Sequence, residues 1–171
     1  MKNDITSILS ITSDLRKELD SIVSPPEEGN VPLSYGVIPN AITKGTRGYI
    51  EKIAQQINGC YENGWYDACA VMIRKLLEIL IIEAFEKRKI DDQIKNTDGD
   101  FYFLRDLIGK TLSQGNFNLG RNVKKGLPKL KDIGDKSAHA RRYTTLLHDI
   151  DSIKTEFRDA VQELISIAEL K

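Results

Sequence analysis

The segment from residue 116 to residue 142 concentrates cationic side chains. It holds eight Lys and Arg residues against two Asp residues, a formal charge of +6, whereas the whole chain of 171 residues has a formal charge of 0. Because Lys and Arg contacts to phosphate dominate nucleic-acid affinity, this segment predicts binding of RNA or a nucleotide, and a solvated loop is the alternative. The candidate phosphate contacts are Lys124, Lys125, Lys129, Lys131 and Lys136, and Arg121, Arg141 and Arg142 complete the cationic set.

His139 is the candidate catalytic residue, in the run IGDKSAHARR at residues 133–142. Its small neighbours leave the imidazole accessible, and Arg141 and Arg142 follow directly. An imidazole beside guanidiniums suits general acid/base catalysis at a phosphodiester, or simple phosphate binding, because imidazoles titrate near neutral pH. In the alternative interpretation, Gly134 and Asp135 are helix caps and His139 is a packing residue.

No metal site and no cofactor are predicted. Cys60 and Cys69 have no Cys or His partner at the spacing of metal ligands, and the chain has only two histidines, without clustered acids. The second histidine, His148, is expected to face solvent and is assigned no role. The residue types also give no Ser, Cys or carboxylate constellation of a hydrolase.

The helix that must position this chemistry is predicted over residues 65–85. Sixteen of its 21 residues are apolar, which predicts a central helix covered nearly all round. At 100° per residue, Asp67, Arg74 and Glu78 fall within about 40° of one another. Since a buried charge is costly unless satisfied, we expect Arg74 to bond Glu78, Asp67 or the segment 134–139. The alternative is that the stripe is simply the solvated edge of the helix.

The remaining elements also follow from hydrophobic periodicity. An amphipathic amino-terminal helix is predicted over residues 1–23, a Pro/Gly-rich extended connector over 24–45, and a helical bundle over 46–171. Further helices are predicted from Tyr49 to Tyr61, over residues 103–112, and after a cap at Thr144 or Thr145. Short helical pieces are expected between them, one beginning at Pro128 and ending at Gly134. The predicted fold is therefore all-α, a bundle of about four long helices with an extra amino-terminal helix.

Composition predicts the class of protein and its surroundings. Hydrophobic residues make up 40% and charged residues 29%, which is typical of one globular domain. The amino terminus has no continuous apolar segment of the kind found in signal peptides, and charges interrupt the most apolar stretch. With two cysteines and no disulfide pattern, we expect a cytoplasmic protein that does not enter a membrane.

Two stretches resemble a bacterial family known as domain of unknown function 4145. Residues 61–78, YENGWYDACAVMIRKLLE, resemble its central helix, and residues 133–139, IGDKSAH, resemble its Gly-Asn-x-x-Ala-His segment. The resemblance covers roughly residues 40–165. It implies that Arg74, Glu78, Gly134 and Asp135 are structural signature positions, Asp135 standing where Asn is usual.

That family is related to the HEPN domains, so the resemblance implies a helical bundle, a homodimer, and a role in defence or toxin–antitoxin systems. Active HEPN members are metal-independent ribonucleases in which four to six residues separate an Arg from the His that follows it. Here residues 132–134, the corresponding positions before His139, are Asp, Ile and Gly. The resemblance therefore favours a module without catalytic activity.

Three functions follow from these observations. The first is a non-catalytic module that binds RNA, a nucleotide or a protein through the segment 116–142. The second is a metal-independent ribonuclease in which His139 is the general acid/base and Arg141 or Arg142 stabilises the phosphorane. The third is a structural or antitoxin-like protein that docks on a partner through its amino-terminal helix.

Overall fold

The computed structural model describes residues 36–171; the predicted amino-terminal helix, residues 1–23, lies outside the described residues. The described part is all-α, as predicted, and its only β-type pairing is an isolated bridge between Lys95 and Phe101. Two short 3-10 helices, Asp91–Ile94 and Gly115–Phe117, interrupt the connections. Residues 36–171 form seven α-helices, which are α1 (Asn40–Thr43), α2 (Gly48–Glu62), α3 (Tyr66–Lys87), α4 (Leu104–Ser113), α5 (Arg121–His139), α6 (Leu147–Asp151) and α7 (Lys154–Ile167).

The long helix α3 is the centre of the bundle, as its composition predicts. It begins after Gly64, whose φ of +74° ends α2 in a conformation that glycine adopts without strain. It packs against α2, α4, α5 and α7, and Leu76, Leu77 and Leu80 are completely buried. The expectation of coverage nearly all round is wrong within the described residues, because Val71 and Lys75 remain exposed on one face.

Residues 36–45 belong to the bundle, so it begins earlier than the predicted boundary at residue 46. Val37 and Ile38 are completely buried. Asn58 on α2 binds the backbone of Ile38 twice: its Oδ1 accepts from the Ile38 N–H at 3.0 Å, and its Nδ2 donates to the Ile38 carbonyl at 2.8 Å. Arg158 on α7 donates to the carbonyls of Gly36 and Val37, each at 2.8 Å. These bonds satisfy a backbone that has no helical partners of its own.

The carboxyl-terminal helix is divided into α6 and α7, whereas periodicity predicts one helix. The cap is also different from the predicted Thr144 or Thr145. The N–H of Leu146, the residue before α6, donates to the Asp149 carboxylate at 2.9 Å. Asp149, the third residue of α6, therefore satisfies a backbone N–H at the start of this helix. The apolar stripe nevertheless keeps its register, because Ile150, Phe157 and Leu164 are all buried.

Candidate nucleic-acid interface

The segment predicted as short helical pieces forms one continuous helix, α5, in which Pro128 and Gly134 are interior residues. Pro128 has no N–H to donate to the carbonyl of Lys124, four residues earlier. Both residues are exposed, so this carbonyl can bond water instead. Gly134 is buried where α5 crosses α3. A Cβ atom there would lie 2.9 Å from the Arg74 Cβ and 3.2 Å from the Ala70 carbonyl oxygen. Gly134 is therefore neither a cap nor a helix end; it permits the close approach of two helices.

The continuous helix turns the cationic residues toward solvent along one face. Arg121, Lys124, Lys125 and Lys136 are exposed, and they span about 120° of the helix on the side opposite the buried residues. Along the axis they extend over roughly 22 Å at 1.5 Å per residue. Arg141 and Arg142 are exposed in the turn that follows α5. We call the following six residues the basic surface: Arg121, Lys124, Lys125, Lys136, Arg141 and Arg142.

None of these six side chains makes an ion pair within residues 36–171, and in this they differ from two lysines that the sequence groups with them. The Lys129 Nζ lies 3.3 Å from a Glu156 carboxylate oxygen on α7. The Lys131 Nζ lies 2.7 Å from Asp135 and 3.2 Å from Asp132. The hydrogen bond from Lys131 to Asp135 raises the pKa of the lysine. Lys131 thus belongs to an intramolecular cluster, and Lys129 is partly neutralised.

Arg74 contacts the segment 134–139, one of the three partners expected for it. Its Nε lies 3.1 Å from the Asp135 Oδ1, and its side chain is 25% exposed. The Nε atom is itself buried, and the pair lacks the alignment of a hydrogen bond. Asp135 therefore lies between two cations, Arg74 and Lys131, which neutralise its charge beside the basic surface. Glu78 is half-buried and makes no ion pair within the described residues.

A chain of hydrogen bonds fixes the segment after α5, and the sequence gives little sign of it. Asp67 on α3 accepts from the Thr145 N–H at 2.8 Å and from its hydroxyl at 2.6 Å. The Thr145 and Ser137 hydroxyls are 2.5 Å apart, and because the single Thr145 hydroxyl proton goes to Asp67, Ser137 is the donor to Thr145. The turn that carries Arg141 and Arg142 is thereby held between α5 and α3. Thr145 is buried and satisfied by Asp67 rather than acting as a helix cap.

His139 is the last residue of α5, and its side chain is exposed. Within residues 36–171 the imidazole has no hydrogen-bond or ion-pair partner. A general base is normally oriented by a neighbouring group, and no described side chain performs that role here. Its position, two residues before Arg141 at the end of the basic surface, suits contact with a phosphate.

The amino-terminal end of α5 is occupied by a carboxylate from within the chain. The Gly120 N–H donates to the Glu163 Oε2 at 2.8 Å, where an external anion would otherwise meet the helix dipole. Phosphate groups therefore have the side chains of the basic surface available to them, and not this helix end.

A buried polar cluster between α2 and α3 was missed by the sequence analysis. Glu83 is only 6% exposed. It accepts a hydrogen bond from the Tyr49 hydroxyl, and an oxygen of its carboxylate lies 2.9 Å from an Arg47 nitrogen. Burial, followed by the hydrogen bond to Glu83, raises the pKa of Tyr49. The sequence clue to this cluster is Glu83 itself, the one charged residue in the apolar run of residues 79–85.

Within residues 36–171, no three His, Cys, Asp or Glu side chains come together as a metal ion would require. None of the described helices is long and apolar enough to cross a membrane. Comparison of the chain with protein-family models, curated proteins and solved structures finds no match.

Proposed function

We propose that this protein is a non-catalytic, HEPN-like module that binds single-stranded RNA through the basic surface. One observation carries the proposal: six cationic side chains are exposed along α5 and the turn after it, and none is neutralised by an ion pair within the described residues. Exposed cations at this density repel one another unless an anionic partner is present. A chain of phosphates is the partner that places one charge opposite each of them.

The rigidity of the surface supports the same function. α5 is held against α3 at Gly134, and the following turn is held by Asp67 through Thr145. The backbone that carries Lys136, Arg141 and Arg142 is therefore held in place, so binding does not have to order it.

The test is the salt dependence of binding to a fluorescently labelled 10-nucleotide RNA in EDTA, measured by anisotropy. For single strands, log K falls with log salt by about 0.7 for each phosphate neutralised. We expect Lys125→Ala and Lys136→Ala each to make the slope less steep by about 0.7. Lys75→Ala is the matched control, because Lys75 is an exposed helical lysine on α3 outside the basic surface, and it should leave the slope unchanged.

The position of His139 favours one second candidate, a metal-independent ribonuclease, because the exposed imidazole ends the helix that carries the cations. The same samples test it. Cleavage of the RNA in EDTA by the wild type, and not by His139→Ala, would establish the ribonuclease and contradict the non-catalytic module. Absence of both binding and cleavage would contradict both, and would direct the search to protein partners of residues 1–23.

A further inference from the structure

A groove lined mainly by polar and charged residues borders the basic surface, between α5 and α7. It has a volume of about 330 Å³ and is lined by Asn122, Lys125, Gly126, Lys129, Thr155, Glu156 and Asp159. The two helices approach closely here, since a Cβ at Gly126 would lie 3.0 Å from the Glu156 Cβ. The volume is at the lower end of the range for small-ligand sites. Lys125 belongs both to this groove and to the basic surface, so a ligand bound along the surface reaches the groove.

The charges in the groove do not suit a simple phosphate. Two lysines face two carboxylates, and the Lys129 Nζ is already 3.3 Å from Glu156. Asp159 is half-buried and has no hydrogen-bond or ion-pair partner within residues 36–171. A carboxylate in this position repels a phosphate and accepts hydrogen bonds from a donor.

We infer that the groove between α5 and α7 binds a nucleobase that carries an exocyclic amino group, while Lys125 binds an adjacent phosphate. This inference rests on the proposed RNA binding and deepens it. The Asp159 carboxylate accepts from the amino group, as Asp and Glu accept from cytosine N4 in other nucleic-acid complexes. The Asn122 amide and the Thr155 hydroxyl, which line the same groove, offer both donors and acceptors to the remaining edge of the base.

Cytosine and uracil provide a matched comparison of similar size, because cytosine has an N4 amino donor beside an N3 acceptor, whereas uracil has an O4 acceptor beside an N3–H donor. We expect the wild type to bind a 10-nucleotide oligocytidylate about tenfold more tightly than an oligouridylate, measured by anisotropy at one salt concentration. In Asp159→Asn the ratio should fall to within about twofold, because the Asn amide can donate to the uracil oxygen as well as accept from cytosine.

The matched control is Asp98→Asn, which makes the same change of charge on an exposed loop outside the groove and should keep the tenfold ratio. The wild-type ratio tests the inference even if Asp159→Asn fails to fold. Binding of both oligonucleotides with equal affinity by the wild type would overturn the inference and leave the proposed function standing. An unchanged ratio in folded Asp159→Asn would also overturn it. Absence of binding to either oligonucleotide would overturn the proposed function and the inference with it.

Discussion

Substituting Gly134 by Ala tests whether the contact between α5 and α3 is as close as the structure shows. An added Cβ would lie 2.9 Å from the Arg74 Cβ, 3.2 Å from the Arg74 Cδ and 3.2 Å from the Ala70 carbonyl oxygen. Two of these atoms cannot move without moving α3 itself. Gly109 provides the matched control, because it also lies inside a helix and a Cβ there would meet no atom within 4 Å.

The expected sizes follow from two opposing terms. Replacing Gly by Ala inside a helix raises the free energy of unfolding by about 1 kcal/mol, and this gain applies at both positions. Overpacking at Gly134 costs about 1–3 kcal/mol, because a backbone must shift to admit the methyl group. We therefore expect Gly109→Ala to stabilise the protein by about 1 kcal/mol. Gly134→Ala should range from neutral to about 2 kcal/mol destabilising.

Urea unfolding followed by circular dichroism measures both variants under the same conditions. The difference between them isolates the contact at Gly134, because helix propensity contributes equally to each. A difference of about 1–3 kcal/mol supports the close approach of α5 and α3. If Gly134→Ala stabilised the protein as much as Gly109→Ala, the geometry at this crossing would be refuted, and with it the backbone position of Asp135 beside Arg74.

Two further substitutions test side-chain hydrogen bonds to the backbone, one at Ile38 and one at the start of α6. Asn58→Ala removes both hydrogen bonds to the buried backbone of Ile38 and should lower the free energy of unfolding by about 2–4 kcal/mol in urea titrations; a loss below about 1 kcal/mol would contradict the arrangement. Asp149→Ala should cost about 1 kcal/mol at pH 7, because the carboxylate accepts from the Leu146 N–H at the start of α6. That hydrogen bond lowers the pKa of Asp149 from its ordinary 3.8, because it favours the charged carboxylate in the folded state. The charged carboxylate therefore stabilises the folded protein fully only well above pH 3.8. The difference between wild type and variant should therefore shrink as the pH falls below about 3.8; an equal difference in urea unfolding at pH 7 and pH 3 would count against this reasoning.

The sequence alone determined the fold class and the positions of most helices, because their causes are local. Apolar residues at three- and four-residue spacing specify α2, α3, α4 and α7 without knowledge of their neighbours. The excess of positive charge between residues 116 and 142 is equally visible, since net charge is a property of composition. The helix positions and the excess of positive charge could be predicted because neither depends on which residues contact one another in the folded chain.

Only the tertiary structure decided the continuity of α5, the availability of each lysine to a ligand, and the long-range hydrogen bonds. Pro128 and Gly134 are typical of helix boundaries, and yet α5 continues through them, because packing against α3 and α7 outweighs local propensity. Whether a lysine is available to a ligand depends on partners far away in sequence, such as Glu156 for Lys129. The pairing of Asp67 with Thr145, 78 residues away, gives no periodic pattern at all. Long-range bonds of this kind arise from the path of the folded chain, so only the tertiary structure shows which cations remain exposed and which groups are already satisfied.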